Sequence, residues 1–335
     1  MKISDSREIF NYIKEAGIHP DPSSLPMSEL EALVMKSDTK ARILDFMNSK
    51  NQNYYQELEM DSPYVNTHRD ISFSPENVQL HSHNFFEIIY VENGDLQYLI
   101  SDKRYQIHPG DIILLPPGIS HRPLFTNTLP IPYSRIVLWL STEYVNNLLT
   151  FCPKDMIHYL RERELFILRT ENSPYKYLET YFKRGLQEAS TTAPFGDVAL
   201  LGSTTSLVAH ICRSITSTTD SFPAEKEEEI DKIISYIEYN YAGKITLESV
   251  AEAFHISTST LGKLFQTKIG VSFYHYVTQR RLINSKIQIE EGNSMEEVAL
   301  SCGFCDYSTF FRAFKKEYGI SPREYKKMFV NNVAE

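Results

Sequence analysis

Apolar residues recur at helical spacing through the first sixty positions of the chain. Ile9, Ile13 and Ala16 share one face of a helix, as a period of 3.6 residues requires. Three prolines between residues 19 and 26 separate this helix from a second helical segment. The pattern predicts a helical N-terminal extension over residues 1–60, which acts as a lid or as a dimer contact.

Between residues 61 and 140 the pattern changes to short runs of β-branched, aromatic and aliphatic residues separated by turn signals. Asn93 and Gly94 lie between two such runs and predict a β-hairpin, because both central residues of that turn favour positive φ. Further turn signals at 109–111 and 116–118 make strands recur about every ten residues. This rhythm is typical of an antiparallel sandwich or barrel.

Helical periodicity returns beyond residue 141. In the stretch 195–215, Leu201, Val208 and Ile211 form one packing face. We expect a helical region over 141–216 that makes a dimer contact. It is followed by a predicted linker over 217–225, where serine and threonine are abundant.

Start and stop signals for helices are dense over residues 226–330, where they predict seven helices. Shifting the sequence by 49 residues aligns Phe265 with Phe314 and Gly270 with Gly319, so the segment contains two copies of one unit. Each copy has the pattern of a helix-turn-helix, whose second helix enters the major groove of DNA.

The second helix of each unit turns its apolar residues inward, so the opposite face predicts the DNA contacts. Arg312 suits a bidentate bond to guanine, and exposed hydroxyl groups suit bases or phosphates. Lysines near the helix ends suit phosphate contacts, which position a protein without reading sequence. The predicted DNA-binding residues are Ser259, Gly262, Lys263, Lys268, Ser308, Thr309, Arg312, Lys315 and Lys316.

The distribution of charge refines this prediction. The whole chain carries a net charge of −9, which by itself argues against nucleic acid. Residues 260–330 nevertheless carry eleven basic and seven acidic side chains, a local charge of +4. The predicted DNA-binding segment is therefore the basic part of an acidic protein.

Composition is that of a globular protein in a reducing compartment. Hydrophobic residues make up 42% of the chain and charged residues 23%, which excludes disordered and collagen-like classes. The apolar runs stop short of the roughly 18 residues that span a bilayer, and the start of the chain lacks a secretory pattern. We expect a cytoplasmic protein without a membrane partner.

Cys302 and Cys305 are expected to be ordinary core and turn residues, with a metal or redox pair as the alternative.

A second cluster of chemically active residues lies in the β region. His81 and His83 are two residues apart, and Glu87 is an even number of residues from both. Strand alternation therefore places all three on one face of a strand. His121 would join them from a neighbouring strand. The sequence thus predicts that imidazole and carboxylate groups converge at one point of the β domain.

The segment 226–327 resembles the AraC/XylS family of transcription regulators. Most of the likeness is in the stretch 301–325, SCGFCDYSTFFRAFKKEYGISPREY. The resemblance implies two helix-turn-helix units that bind one asymmetric DNA half-site, with the exposed positions named above as base readers. Gly262 departs from the pattern, since that family often has a side chain there that could reach a base. The first unit is therefore expected to read bases weakly, through Ser259 and Lys263.

The histidine cluster resembles both motifs of the cupin superfamily, H-x-H-x3-E-x6-G over 81–94 and G-x5-P-x-G-x2-H over 110–121. In metal-binding cupins, the equivalents of these three histidines and one glutamate hold a divalent metal, and such mixed ligation suits Mn, Fe, Ni or Zn. In AraC-type regulators, the barrel is generally the effector-sensing domain and commonly accepts a sugar or another small polar molecule. We expect such a pocket without a cofactor, with divalent metal as the alternative. Its predicted ligand-binding residues are His81, His83, Glu87, His121, Tyr90, Tyr98 and Trp139.

These features together predict an α+β multidomain protein. An N-terminal cupin-like antiparallel β-barrel over 61–140, with flanking helices, precedes an all-α domain of two helix-turn-helix units over 226–330. The expected function is a homodimeric transcription regulator, not an enzyme, that binds promoter DNA and responds to a small-molecule effector. One alternative is a metal-dependent cupin enzyme with a helical appendage. Another is a sensor that binds a protein partner through residues 1–60. The 49-residue repeat favours the regulator, because an enzyme has no need of it.

Overall fold

The computed structural model describes residues 12–20, 29, 33, 60, 62–72, 79–125, 132–152, 167–191, 194–217 and 228–332. Most of the predicted N-terminal extension lies outside the described residues, as does the predicted linker beyond residue 217. Within the described part, Ile13 lies in a short helical turn and is fully buried.

In the described part of the N-terminal half, eight antiparallel strands form two sheets. The five-stranded sheet has the order β1-β7-β2-β5-β8, and the three-stranded sheet has the order β4-β3-β6. The strands are β1 (Val65–Ser72), β2 (Phe86–Asn93), β3 (Leu96–Ile100), β4 (Lys103–Ile107), β5 (Asp111–Leu115), β6 (His121–Leu124), β7 (Tyr133–Leu140) and β8 (Ile167–Arg169). This antiparallel arrangement confirms the predicted fold class of the N-terminal half.

The predicted hairpin at Asn93 and Gly94 is wrong. Strand β2 pairs with β5 and β7, whereas β3 pairs with β4 and β6, so the turn carries the chain from one sheet to the other. Gly94 has a φ of +112°, and a Cβ there would lie 3.0 Å from the Tyr133 ring. The glycine is therefore required by a sheet crossing and by close packing. The tight turn of this region joins β3 to β4 and has Ser101 at a φ of +55°.

The two sheets face each other across an apolar core. Side chains of both sheets meet there, including Ile89 and Ile113 from one sheet and Tyr98 and Ile107 from the other. Residues at the alternate positions, such as Ile88 and Leu138, point to the outer side of the five-stranded sheet. Among the described residues, three helices cover that side: α1 (Thr142–Leu149), α2 (Leu178–Ser190) and α3 (Gly196–Ser217).

Helix α3 is the one described helix whose length and apolar composition would suffice to cross a membrane. Leu200, Leu207 and Ile211 of this helix are buried against the sheet and its neighbouring helices. Core helices of globular proteins share this composition, so α3 is weak support for a membrane span.

The C-terminal half is entirely helical, as predicted. Its helices are α4 (Glu229–Asn240), α5 (Leu247–Ala253), α6 (Thr258–Leu264), α7 (Phe273–Glu290), α8 (Met295–Ser301), α9 (Tyr307–Tyr318) and α10 (Pro322–Asn332). Helix α6 continues directly into a π-helical turn, Phe265–Ile269. Gly270 and Gly319 end the two units in the left-handed conformation, with φ of +80° and +76°, which glycine adopts without steric cost. Side-chain N-caps are present at Thr246, Ser257, Ser294 and Asp306.

The two halves of the molecule pack against each other through the three-stranded sheet. Leu80, Leu99 and Leu124 of the N-terminal half belong to the same buried cluster as Ile233 and Ile237 of α4. Residues Leu99 and Leu124 lie on the outer side of that sheet, because the alternate positions of β3 and β6 face the sandwich core. The core of the first helix-turn-helix unit therefore extends across the boundary into the β domain.

Candidate effector site and nucleic-acid interface

Three elements bring the histidines and the glutamate together inside the β domain. A single bridge pairs His81 with His121 at the start of β6, and Glu87 lies near the start of β2 in the opposite sheet. The rings of His81 and His121 have centroids 4.3 Å apart, and those of His83 and His121 are 5.1 Å apart. The predicted convergence is present, but residues 82–85 are not a regular strand, so it does not arise from alternation along one strand.

Glu87 is the centre of this cluster. Its side chain is buried, and the indole nitrogen of Trp139 donates to Oε1 over 2.9 Å. Nε2 of His121 lies 2.9 Å from Oε2, and Nε2 of His83 lies 3.3 Å from the same oxygen. Burial raises the pKa of Glu87, but the contacts with His121 and His83 outweigh it and hold the pKa well below its usual range.

The other ring nitrogen of each histidine faces the backbone. Nδ1 of His81 lies 2.9 Å from the carbonyl oxygen of Gln79, Nδ1 of His83 lies 2.9 Å from that of Phe85, and Nδ1 of His121 lies 3.0 Å from that of Ile119. These carbonyls favour a proton on Nδ1 and aim all three Nε2 atoms at the cluster. Burial lowers the pKa of His83, whereas its contact with the Glu87 carboxylate acts in the opposite direction.

This donor set fits a divalent metal ion. The ligand atoms of His81, Glu87 and His121 all lie within 4.8 Å of one another, and Nε2 of His83 approaches the same carboxylate. Two or three imidazoles with one carboxylate form a common ligand set for Zn, Fe, Ni or Mn. A proton shared between the carboxylate and an Nε2 atom would stabilise the same arrangement. The geometry therefore accommodates either a metal ion or a proton.

The predicted pocket walls fall into two groups. Trp139 contacts Glu87, and the Phe85 ring stacks on His83 with centroids 4.1 Å apart, so both line the cluster. Tyr98 faces the same interior, where burial raises its pKa well above the usual value. Tyr90 was predicted as a wall and is not one. It lies on the opposite face of β2 from Glu87 and stacks on Phe182 of α2.

A second polar group inside the sandwich was missed by the sequence analysis. Arg135 donates from Nη2 to Asp70 over 2.8 Å, and both side chains are almost fully buried. The ring of His68 contacts Trp139, with centroids 4.9 Å apart, and its Nε2 lies 3.4 Å from Asp70. An arginine within the apolar run Tyr133–Leu140 is the signal that could have revealed this group, because charged residues are buried only with a partner.

The two predicted reading helices present the expected faces. Leu261, Phe265, Phe310 and Phe314 are fully buried. A Cβ at Gly262 would meet nothing within 4 Å, so the surface around it is open. Most of the predicted DNA-contact side chains are exposed, namely Ser259, Lys263, Ser308, Arg312, Lys315 and Lys316, whereas Thr309 is half-buried.

Lys268 does not present a free ammonium group for a phosphate. Its Nζ lies 2.9 Å from Glu228, and this hydrogen bond is the main reason that the pKa of Glu228 is lowered. Glu228 also contacts Arg104 of the β domain, at 3.3 Å. Lys268 therefore belongs to the contact between the two halves, and its position near the helix end could not have shown this.

Cys302 and Cys305 lie in different environments. Cys302 is fully buried in the core of the second unit, and burial raises the pKa of its thiol to about 11. Cys305 is exposed, with its sulfur 3.2 Å from Asp306. Within the described residues, the group with metal-ligating geometry does not include either cysteine. This arrangement agrees with ordinary core and turn roles.

Comparison with known proteins identifies both halves. Residues 250–328 match the model of a helix-turn-helix domain, and residues 72–133 match the model of an AraC-like ligand binding domain. The HTH-type transcriptional regulator YpdC of Escherichia coli K12 is 26% identical over 255 residues, which cover 73% of this chain and 83% of the relative.

Two further relatives have the same type of name. The HTH-type transcriptional activator RhaS of Mannheimia succiniciproducens is 25% identical over 251 residues, covering 73% of this chain and 88% of the relative. The HTH-type transcriptional regulator YijO of Escherichia coli K12 is 34% identical over 131 residues, which cover 39% of this chain and 46% of the relative. All three relatives are named as regulators or activators of transcription. The chain therefore belongs to the AraC-type transcription regulators, with an N-terminal ligand-binding domain and a C-terminal DNA-binding helix-turn-helix domain.

Proposed function

We propose that this regulator responds to a small polar effector, such as a sugar, which binds at the His/Glu cluster. The observation that carries the proposal is the buried Glu87 carboxylate, which is held between the Trp139 indole and two histidines. A charged group inside an apolar core is costly unless it is paired. A preorganised polar centre of this kind is typical of a small-molecule site.

The chemistry of the interior suits a ligand with several hydroxyl groups. Glu87 and Asp70 supply carboxylate acceptors, and Arg135 supplies donors. The face of Trp139 supplies an apolar surface for the C–H groups of a sugar ring. Phe85 extends that surface, since its ring lies 4.9 Å from that of Trp139.

A direct contact connects the cluster to the DNA-binding half. The Nζ atom of Lys286 on α7 donates to the backbone carbonyl of Ser82 over 3.2 Å, and Ser82 stands between the two histidines. The same Nζ lies 5.5 Å from the centroids of the Tyr318 and Tyr325 rings. An effector that displaces Ser82 would therefore act on the second helix-turn-helix unit, favouring one of two states by differential affinity.

Homodimerisation and a cytoplasmic location complete the proposal. Helices α2 and α3 form the outer layer of the β domain, and they supply the dimer contact that would place two DNA-binding halves on one promoter. Sedimentation of the full chain at two protein concentrations tests this, and a monomer at both concentrations would contradict it.

A divalent metal ion is the second candidate occupant of the cluster. The specific observation in its favour is that all three histidines turn Nδ1 to a backbone carbonyl, the orientation that second-shell partners impose on metal-binding histidines. His81, Glu87 and His121 would hold the ion. A bound divalent ion would supply a fixed positive charge at Glu87.

One experiment separates the two occupants. Metal content of the purified protein is measured by elemental mass spectrometry, and its melting temperature is measured against a panel of pentoses and hexoses. The test variant is His81→Ala/His83→Ala. The control is His210→Ala, which removes a histidine held by Tyr177 and Tyr181 on the surface of α3.

A metal-free protein that is stabilised by a sugar, with the effect lost only in the double variant, supports the sugar. About one metal ion per chain, lost only in the double variant, supports the metal. A metal-free protein that no sugar of the panel stabilises would overturn the assignment of the cluster as the effector site.

A further inference from the structure

The outer face of β6 carries a buried arginine between the two halves of the molecule. His121 faces the cluster inside the sandwich, so the next residue, Arg122, points to the outer side of the three-stranded sheet. Arg122 is paired in register with Leu99 and is followed on the same face by Leu124. Both leucines belong to the cluster shared with the DNA-binding half, and Arg122 itself is only 4% exposed.

The guanidinium of Arg122 lacks an acidic partner among the described residues. Its Nε and Nη1 atoms are buried and make no hydrogen bond. The neighbouring Tyr276 hydroxyl donates to Glu238 over 3.1 Å and belongs to the DNA-binding half.

Other cations near this boundary do have partners. Arg104 pairs with Asp231 through two hydrogen bonds of 2.6 and 2.9 Å, Lys286 donates to Ser82, and Arg280 pairs with Glu238. An isolated buried charge costs several kcal/mol, which a protein offsets by pairing it. The contrast makes Arg122 a position where an anion would be stabilised.

The element that faces the guanidinium across the domain boundary contributes a residue without a side chain. Gly270, the left-handed residue at the end of the first unit, would place a Cβ only 3.8 Å from Nη2 of Arg122. Because this residue is glycine, no side chain of that position shields the guanidinium. The guanidinium thus lies between β6 and the backbone of the DNA-binding half.

We propose that Arg122 anchors an oxyanion site between the two domains, which takes the carboxylate or phosphate group of a small molecule. A guanidinium edge offers parallel N–H donors that match two oxygens of such a group. The site is separate from the His/Glu cluster, because Arg122 and His121 point to opposite sides of the sheet. Since the anion would touch both β6 and the end of the first unit, it stabilises the docked arrangement of the domains.

The test uses the full chain in a chloride buffer at constant ionic strength. The melting temperature is measured during separate titrations with sodium acetate and sodium phosphate. At roughly ten times the dissociation constant of a binding anion, mass action predicts a rise of about 2 °C for a chain of this length. A rise with acetate alone identifies a carboxylate site, and a rise with phosphate alone identifies a phosphate site.

Two variants make the test specific. Arg122→Met removes an unpaired buried charge, so its melting temperature in chloride should equal or exceed that of the wild type, and neither anion should raise it. Arg69→Met is the matched control, because it removes an arginine that pairs with Glu92 within the β domain, away from the domain boundary. It should melt lower but keep the response to the anion.

Three results would overturn the proposal. The first is a wild-type protein that responds to neither anion. The second is an equal response in Arg122→Met. The third is a lower melting temperature of Arg122→Met in chloride, which would show that an acidic group of the protein already pairs with this arginine.

Discussion

Replacing Arg104 with methionine should weaken the contact between the two domains strongly. Arg104 on β4 is 2% exposed and makes a bidentate pair with Asp231 on α4. A third bond, of 3.2 Å, joins its Nη1 to Gln97. Asp231 also accepts a bond of 2.7 Å from the backbone N–H of Glu228, which caps α4. The substitution would leave this carboxylate buried with only the cap as its partner.

The expected loss follows from burial. Removing one partner of a buried ion pair costs about 3–5 kcal/mol, because the remaining charge stays desolvated. Glu228 adds little to this value, since its side chain is 47% exposed and surface pairs contribute about 0–1 kcal/mol. Methionine keeps much of the apolar volume of the arginine stem, so the loss reports the charge and its hydrogen bonds.

Urea denaturation of the full chain measures this loss. In a double-mutant cycle, Asp231→Asn removes the charge but keeps a side-chain oxygen for the cap of α4. The expected coupling energy between Arg104→Met and Asp231→Asn is about 2–3 kcal/mol. Additive effects, with each single substitution costing less than about 1 kcal/mol, would show that the pair behaves like a solvent-exposed contact and would refute the reasoning.

Three further predictions concern the DNA-binding half. Arg312→Ala should cost about 1–3 kcal/mol of operator affinity and relax the preference at one base pair; fluorescence anisotropy on operator variants measures both, and an unchanged preference would contradict base contact. Lys315→Ala should weaken binding to all sequences and reduce the salt slope by about one, so an unaltered slope would exclude a phosphate contact. Gly303→Ala should destabilise the fold by roughly 1–3 kcal/mol, because its φ is +84° and a Cβ would lie 2.8 Å from two carbonyl oxygens. The control Gly262→Ala, in a helix with open space, should instead stabilise it by about 0.5–1 kcal/mol, and similar values for the two glycines would contradict the strain argument.

Sequence patterns predicted the helical half well because helix signals are local. The cap of α8 depends on Ser294 and Glu297, which are three residues apart, and the stop at Gly319 depends on one backbone conformation. Such features do not need the rest of the fold. The strand pairing around Gly94 does depend on the rest of the fold, because β2 and β3 belong to different sheets. A turn signal identifies a change of direction but not the strand that receives the chain.

The site was predicted in part for the same reason. Motif spacing brought the three histidines to Glu87, although the path from His81 to Phe85 is irregular. The pair between Asp70 and Arg135 depends on the register of β1 against β7, which no local pattern specifies. Arg104 and Asp231 are 127 residues apart, so their pairing depends on how the two domains dock.

The buried cluster shared by the two domains has a practical consequence for dissecting the molecule. Leu99 and Leu124 are 0% and 2% exposed in the full chain, and Ile233 and Ile237 are fully buried. Cutting the chain between the domains would expose part of this apolar surface to water on both fragments, at about 25 cal/mol per Å². Each fragment would therefore expose an apolar patch that promotes association and that is buried in the intact regulator. Affinities and oligomeric states measured on a fragment therefore describe a different surface, and quantitative work on this protein requires the whole chain.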